Sequence, residues 1–249
     1  MLDLQRLTVS YRNAPPTLKD VTLELSSGIT ALIGRNGAGK STLLRAITGQ
    51  CAYTGSILLD GIELSALSPQ QRATRISLLP QILPAPDLCV RETVALGFSP
   101  HVTRLCAKEW ETVSEILEKL QLAPLADRRV NTLSGGERQR VFLGMLLTQN
   151  TPILLLDEPT TYMDPSFLPL FYSILHEQRE KGKTVLTVLH DVTEAIGIAD
   201  RILLLENSAL AFDGTPAECV SQCIPERAFG LSHYTAYDNS GTPLHFYKA

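Results

Sequence analysis

The residues most able to do chemistry are Gly34-Arg35-Asn36-Gly37-Ala38-Gly39-Lys40-Ser41. They follow an apolar run over 29–33 and precede Thr42-Leu43-Leu44-Arg45-Ala46-Ile47, which reads as a helix. Strand, glycine-rich turn, Lys, Ser and helix is an arrangement that grips the phosphates of a nucleoside triphosphate. Glycines let backbone N–H groups approach phosphate oxygens with no Cβ in the way. The helix N-terminus adds partial positive charge, Lys40 reaches the outer phosphates as a point charge, and the Ser41 hydroxyl is a ligand for Mg²⁺.

A second group is acidic. Ile153-Leu154-Leu155-Leu156-Asp157-Glu158-Pro159 is a continuous apolar strand that ends in two carboxylates. A strand without polar alternation is buried on both faces and suits the middle of a parallel sheet. Asp157 at its carboxyl end is placed to hold Mg²⁺, and Glu158 to polarise the water that attacks a γ-phosphate. His190 follows the strand 183–189, and Gln81 stands beyond the strand 76–79 and Pro80. Both lie where side chains at strand ends meet a bound phosphate or its metal. A lone His or loop Gln is more often structural, so each draws its weight from the phosphate loop. Tyr11, upstream of that loop, can stack on a purine base or pack as a strand tyrosine.

Leu133-Ser134-Gly135-Gly136-Glu137 opens another helix and forms a second anion cradle. Ser134 and Glu137 also spell a capping box. That explanation leaves two glycines, poor helix formers, unaccounted for. One triphosphate does not need two complete cradles on one chain, so the second is expected to serve a nucleotide held by another copy.

The positioning elements follow from periodicity. Residues 2–9 alternate through Leu2, Leu4, Leu7 and Val9, and a second strand carries Val21, Leu23 and Leu25 across a Pro15-Pro16 turn. Further strands are expected at 56–59, 76–79, 183–189, 201–206 and 209–212, with helices at 69–73, 141–147, 165–181 and 216–222. Between 82 and 150 the texture becomes helical, with segments at 90–97 and 108–122. In the second of these Trp110, Val113, Leu117 and Leu120 share one face. This predicts an α/β domain with an antiparallel β subdomain and an inserted α-helical subdomain. The core is 1–81 and 151–249, and the insertion is 82–150. The tail is expected to fold back as a hairpin of 233–237 and 244–247.

Composition narrows the function. A net charge of −4 and a pI near 5.8 argue against a nucleic-acid-coated surface. Asp3 and Arg6 near the start do not suit a signal peptide, and no apolar run approaches the roughly 18 residues of a spanning helix. A soluble chain that meets any membrane through a partner is expected. The five cysteines (Cys51, Cys89, Cys106, Cys219, Cys223) are odd in number and scattered, which suits reduced, ordinary thiols.

Taken together these landmarks resemble the ATPase subunits of ABC transporters over nearly the whole chain. Walker A matches Gly34, Asn36, Gly37, Ala38, Gly39, Lys40, Ser41 and Thr42, the signature matches 133–137, and Walker B matches 153–158. In that family the adenine-stacking aromatic matches Tyr11, the Q-loop glutamine matches Gln81 and the switch histidine matches His190. The resemblance implies a P-loop NTPase (RecA-like) core and ATP with Mg²⁺, the metal held by Ser41, Gln81 and Asp157. It implies Glu158, His190 and Lys40 as catalytic groups. It also implies a head-to-tail homodimer in which each ATP lies between Lys40 of one copy and Ser134, Gly135 and Gly136 of the other. Integral membrane permease subunits would be the partners, with a periplasmic or surface substrate-binding protein met indirectly. The chain would then be peripheral at the cytoplasmic face of the membrane. Thr161-Tyr162-Met163-Asp164 and Val90-Arg91-Glu92-Thr93-Val94-Ala95-Leu96-Gly97 are similar to the importers of iron–siderophore complexes, haem and cobalamin. Iron–sulfur cluster assembly by a soluble member of the family stays open, as does transport of another substrate. A small-molecule kinase on the same loop would lack the Ser-Gly-Gly cradle and His190.

Overall fold

The computed structural model describes residues 1–11, 15–238, 241 and 243–248. Its elements in chain order begin with β1 (Leu2–Val9), β2 (Leu18–Leu25), β3 (Gly28–Ile33), α1 (Lys40–Ile47), β4 (Thr54–Leu59) and β5 (Ile62–Glu63). Next come α2 (Pro69–Ala73), β6 (Ile76–Leu79), α3 (Val90–Ala95), α4 (Ala107–Lys119), α5 (Gly135–Gln149), β7 (Ile153–Asp157) and α6 (Leu168–Glu180). The chain closes with β8 (Thr184–Val188), α7 (Val192–Ile198), β9 (Arg201–Glu206), β10 (Ala209–Gly214), α8 (Pro216–Ser221), α9 (Ile224–Phe229), β11 (Ser232–Tyr237) and β12 (Pro243–Lys248). Two compact units divide them, Met1–Ala66 with Leu175–Ala249, and Leu67–Ile174.

The first unit holds both strand patterns anticipated above. Alternation in β1 buries Leu2, Leu4, Leu7 and Val9, and the antiparallel order is β2-β1-β4-β5. The pairing shifts between Leu4 and Leu7, where Arg6 takes a positive φ of 51°. By contrast, β3 buries every residue from Ile29 to Ile33. It runs parallel to β8 on one side and to β9 on the other, with β10 pairing antiparallel to β9. A strand hydrogen-bonded on both edges and covered on both faces must be apolar throughout. The cluster around Ala31, Ile33, Leu189, Ile202, Leu204 and Phe212 also takes in Ile224 and Ala228 of α9.

Lys183 enters β8 half-buried, and its N–H bonds Gln178 O at 3.1 Å. Burial, then the neighbouring Lys181 charge, pull its ammonium down from 10.5 to about 8. The folded protein therefore holds this proton less tightly than the unfolded chain. The resulting loss of stability is full below pH 8 and disappears as pH rises towards 10.5. Lys183→Met is expected to raise Tm by ~2–4 °C at pH 7, about 1 kcal/mol after solvent screening. The gap from the parent should close between pH 8 and 10.5 in a series of thermal melts; a gap independent of pH would contradict the assigned cause.

In the second unit β6 and β7 pair in parallel, with Ile76 opposite Ile153 and Leu79 opposite Leu156. Between them lie α3, α4, α5 and short 3₁₀ turns, and the only strand-like feature among the described residues is one bridge from Cys89 to Arg129. Val113, Leu117 and Leu120 are buried as their spacing requires, whereas Trp110 stays 38% exposed in the first turns of α4. Four boundaries differ from the sequence pattern. The expected helix at 90–97 passes into a 3₁₀ turn at Leu96–Phe98. The 108–122 segment ends at Lys119, because Gln121 takes a φ of 57° that no α-helix tolerates. The helix expected at 141–147 begins six residues earlier, at Gly135. The one expected from 165 begins at Leu168, after a turn in which Asp164 Oδ1 accepts the Ser166 N–H at 2.8 Å.

The tail forms the anticipated hairpin, β11 antiparallel to β12, while Asn239 and Ser240 of its expected turn lie outside the described residues. All five cysteines are free thiols. Among the described residues no helix is long and apolar enough to cross a membrane.

Candidate functional site

In the first unit the phosphate loop connects the carboxyl end of β3 to α1. Gly39 caps α1 in a left-handed conformation, φ 104° and ψ 7°. A Cβ there would lie 2.7 Å from both Leu18 Cδ2 and Thr17 O, so space as well as φ demands glycine. The same contact brings the end of the β1–β2 hairpin against the loop. Tyr11 lies two residues beyond Val9 at that end and is 44% exposed.

Lys40 is 6% exposed, and its ammonium donates to Gly34 O at 2.7 Å and to Arg35 O at 3.2 Å. A buried ammonium needs such acceptors. No acidic residue stands in the first turn of α1, although a helix N-terminus favours one. That positive turn is kept for an outside anion, so the loop fits a chain of phosphates. His190 is exposed just beyond β8. The Leu189 N–H donates to Leu32 O at 3.2 Å, so Gly34 and His190 follow the carboxyl ends of neighbouring parallel strands. Asp191 accepts from Thr193 N at 2.7 Å and Glu194 N at 3.3 Å, and so starts α7.

The second unit carries the acids. Asp157 ends β7 at 7% exposure, and its oxygen chemistry suits a hard cation such as Mg²⁺. Glu158 adopts a φ of 50°, sparsely populated by residues with a side chain and a mark of sites where function outweighs strain. Gln81, 77 positions away, donates from Nε2 to Glu158 Oε2 at 2.6 Å. The parallel pairing of Leu79 with Leu156 brings these two side chains together.

Ser134 caps α5 in the capping box that its spacing permits. Its Oγ accepts from Glu137 N at 3.3 Å, and Glu137 Oε2 accepts from Ser134 N at 2.8 Å. The Ser134 N–H, then its hydroxyl, hold the Glu137 carboxyl below the usual carboxylate range. The glycines have a separate reason. A Cβ on Gly136 would lie 2.7 Å from Tyr162 O, and one on Gly135 would touch the Tyr162 side chain at 3.6 Å. Close approach of the 160–164 turn therefore requires Gly136. Ser134, Gly136, Glu137, Arg140, Tyr162 and Asp164 line an open cleft of ≈ 560 Å³.

Two further residues escaped the sequence pattern. Gln139 is fully buried, and its Nε2 donates to Pro159 O at 2.9 Å, tying α5 to the turn after the two acids. An amide among the apolar positions of α5 was its one signal. Arg35, at a variable position of the phosphate loop, donates from Nε to Ala228 O at 2.8 Å near the end of α9, which no local pattern announces.

Comparison with known proteins agrees with this geometry. Residues 18–161 match the family model described as ABC transporter. The chain is 38% identical over 248 residues to the ferric enterobactin transport ATP-binding protein FepC of Escherichia coli (strain K12), covering 96% of this chain and 91% of that one. It is 37% identical over 253 residues to the petrobactin import ATP-binding protein FpuD of Bacillus anthracis, covering 98% and 92%. Among solved structures, a dimeric ATP-binding cassette in a post-hydrolysis state with ADP and Pi superposes at a TM-score of 0.80 and 28% identity, covering 87% of this chain and 99% of that one. A phosphate loop of the P-loop NTPase kind, the family match through both cradles and the end-to-end likeness to transport ATPases agree: the chain belongs to the ABC transporter family and is an ATP-binding ATPase.

Proposed function

We propose that the chain is the ATP-hydrolysing subunit of an importer for a ferric siderophore or a similar metal chelate such as haem, acting as a head-to-tail homodimer on a membrane permease. The observation that carries the dimer is the second cradle. Ser134 and Gly136 line a solvent-facing cleft and Gly135 is exposed beside them, while the loop that runs from Gly34 into α1 is read as a phosphate cradle in its own right. The importer class is supported by relatives named for enterobactin and petrobactin, matched over more than nine-tenths of the chain.

In this reading Tyr11 stacks on adenine. The loop residues Gly34, Asn36, Gly37, Ala38 and Gly39, with Lys40 and Thr42, hold the phosphates and neutralise charge on the transferring phosphoryl group. Ser41, Gln81 and Asp157 would hold Mg²⁺, which would supply charge neutralisation for the phosphates. Glu158 orients and deprotonates the attacking water, kept in place by the Gln81 amide. His190 holds the γ-phosphate. ATP joins two copies because each nucleotide touches both, and loss of the bridging phosphoryl group lets them part. The segment 82–150 acts as a helical subdomain that passes this motion from Gln81 to the permease. The chain then works at the cytoplasmic face of the membrane, with the substrate-binding protein on the far side of the permease.

The test is a pull-down of tagged Glu158→Gln protein with ATP from detergent-solubilised host membranes, followed by mass spectrometry. A polytopic membrane protein in stoichiometric amount is expected, and its binding protein should then take up ferric chelates. Recovery of soluble partners alone, from membranes that contain the permease, would remove the transport reading.

A further inference from the structure

The C-terminal elements carry a side-chain cluster that ATP chemistry does not use. In the hairpin, His233 pairs with Tyr247 and Thr235 with His245, so the two histidines are diagonal neighbours on the less exposed face. Nε2 of His233 lies 2.9 Å from Nδ1 of His245, with ring centroids 5.1 Å apart. The Thr235 hydroxyl lies 3.4 Å from the same Nε2. Tyr247 stacks almost flat on His233, at 4.8 Å and 10°, and its N–H donates to Thr193 Oγ1 of α7 at 3.1 Å. On its other side, Nδ1 of His233 faces Glu226 Oε1 of α9 at 3.7 Å. Oε2 of that carboxylate is buried and has no hydrogen-bond partner among the described residues.

We propose that His233 Nε2 and His245 Nδ1 chelate a divalent transition-metal ion, of the class that prefers imidazole (Ni²⁺, Zn²⁺, Cu²⁺). Two metal–nitrogen bonds of about 2.0–2.1 Å at ligand angles of 90–110° place the nitrogens roughly 2.9–3.4 Å apart. The observed pair, now joined by a hydrogen bond at 2.9 Å, stands at the short end of that range, and the metal would displace the shared proton as the rings turn slightly apart. The Glu226 carboxylate stands at the distal nitrogen of His233, where a metal-bound imidazole directs its N–H to a carboxylate. Stacking on Tyr247 fixes the ring plane. Among the described residues no group of three or more His, Cys, Asp or Glu could hold a metal ion, so this site offers two protein nitrogens, and water, with the Thr235 hydroxyl nearby, would complete the coordination.

The chelate has a route to the phosphate loop within the same compact unit. Glu226 belongs to α9, whose Ala228 carbonyl accepts from Arg35 of the loop at 2.8 Å. Arg35, Asn36, Gly37, Ala228 and Phe229 line a common cavity of ≈ 290 Å³. A metal that fixes His233 and Glu226 also fixes α9, and occupation is felt in ATP turnover. This coupling rests on the ATPase assignment, while metal binding stands without it.

The experiment is titration of the full-length, chelator-treated protein with NiCl₂ in a calorimeter, beside His233→Ala, His245→Ala and His245→Asn. Their thermal melts without metal check that each variant folds. Binding of one equivalent by the parent is expected, with affinity lowered ~10-fold or more in every His variant and Tm raised by Ni²⁺ in the parent alone. Absence of binding, or equal binding by parent and variants through the free thiols, overturns the site. For the coupling, Ni²⁺ should change turnover at saturating Mg-ATP at least twofold in the parent and leave His245→Ala unaffected. Unchanged turnover in the metal-loaded parent overturns the coupling.

Discussion

Glu158→Gln should lower ATP turnover by about 10²–10⁴-fold, the range general-base removal produces, while leaving nucleotide binding intact. The substitution keeps shape and the capacity to accept from Gln81 Nε2, 2.6 Å away in the parent, but the amide cannot take a proton from water. It also leaves the φ of 50° at this position no harder to adopt, so the fold should melt within about 0.5 kcal/mol of the parent. With hydrolysis stopped and the phosphates in place, the protein should accumulate as an ATP-bound dimer. Phosphate release measures the first effect, and size-exclusion chromatography with and without ATP measures the second. Turnover within threefold of the parent would pass the water-activating role to another group.

Lys40→Ala attacks the ground state instead. The ammonium is buried and held by the Gly34 and Arg35 carbonyls, so it is poised in the loop before any ligand arrives. A hydrogen bond to a charged group contributes about 1.5–3 kcal/mol, so ATP affinity should fall roughly 10–150-fold and turnover should become undetectable. The Gly34 and Arg35 carbonyls lose the ammonium as well, although Arg35 O keeps the Ala38 N–H at 3.1 Å. Binding of a fluorescent ATP analogue reports the affinity, and the dimer seen with Glu158→Gln should fail to form in the double variant. Unchanged affinity would mean that the loop backbone alone holds the phosphates.

Local signals were the legible part of this protein. The alternation in β1, the unbroken apolar runs of β3 and β7, and the boundaries of α2 and β6 follow from side-chain periodicity and from Pro69 at a helix start. The failures share one cause, competition between local propensity and distant contacts. The apolar periodicity marked the helix only from 141, yet it starts at Gly135, and the glycine at 136 is demanded by the distant Tyr162 carbonyl, 2.7 Å from where a Cβ would lie. No helix was expected at 224–229, yet Pro225 sits in the first turn of α9, where a missing N–H costs nothing.

The amino-acid sequence by itself determined the phosphate loop, the paired acids and the capped Ser-Gly-Gly helix start, because each is contiguous and depends on spacing along the chain. Only tertiary structure decided the pairs formed by residues far apart. Gln81 meets Glu158, Arg35 meets the end of α9, and His233 meets His245. The first follows from the parallel register of β6 with β7, the second from where α9 packs, and the third from the antiparallel register of β11 with β12, where a shift of one residue would turn one histidine to the opposite face.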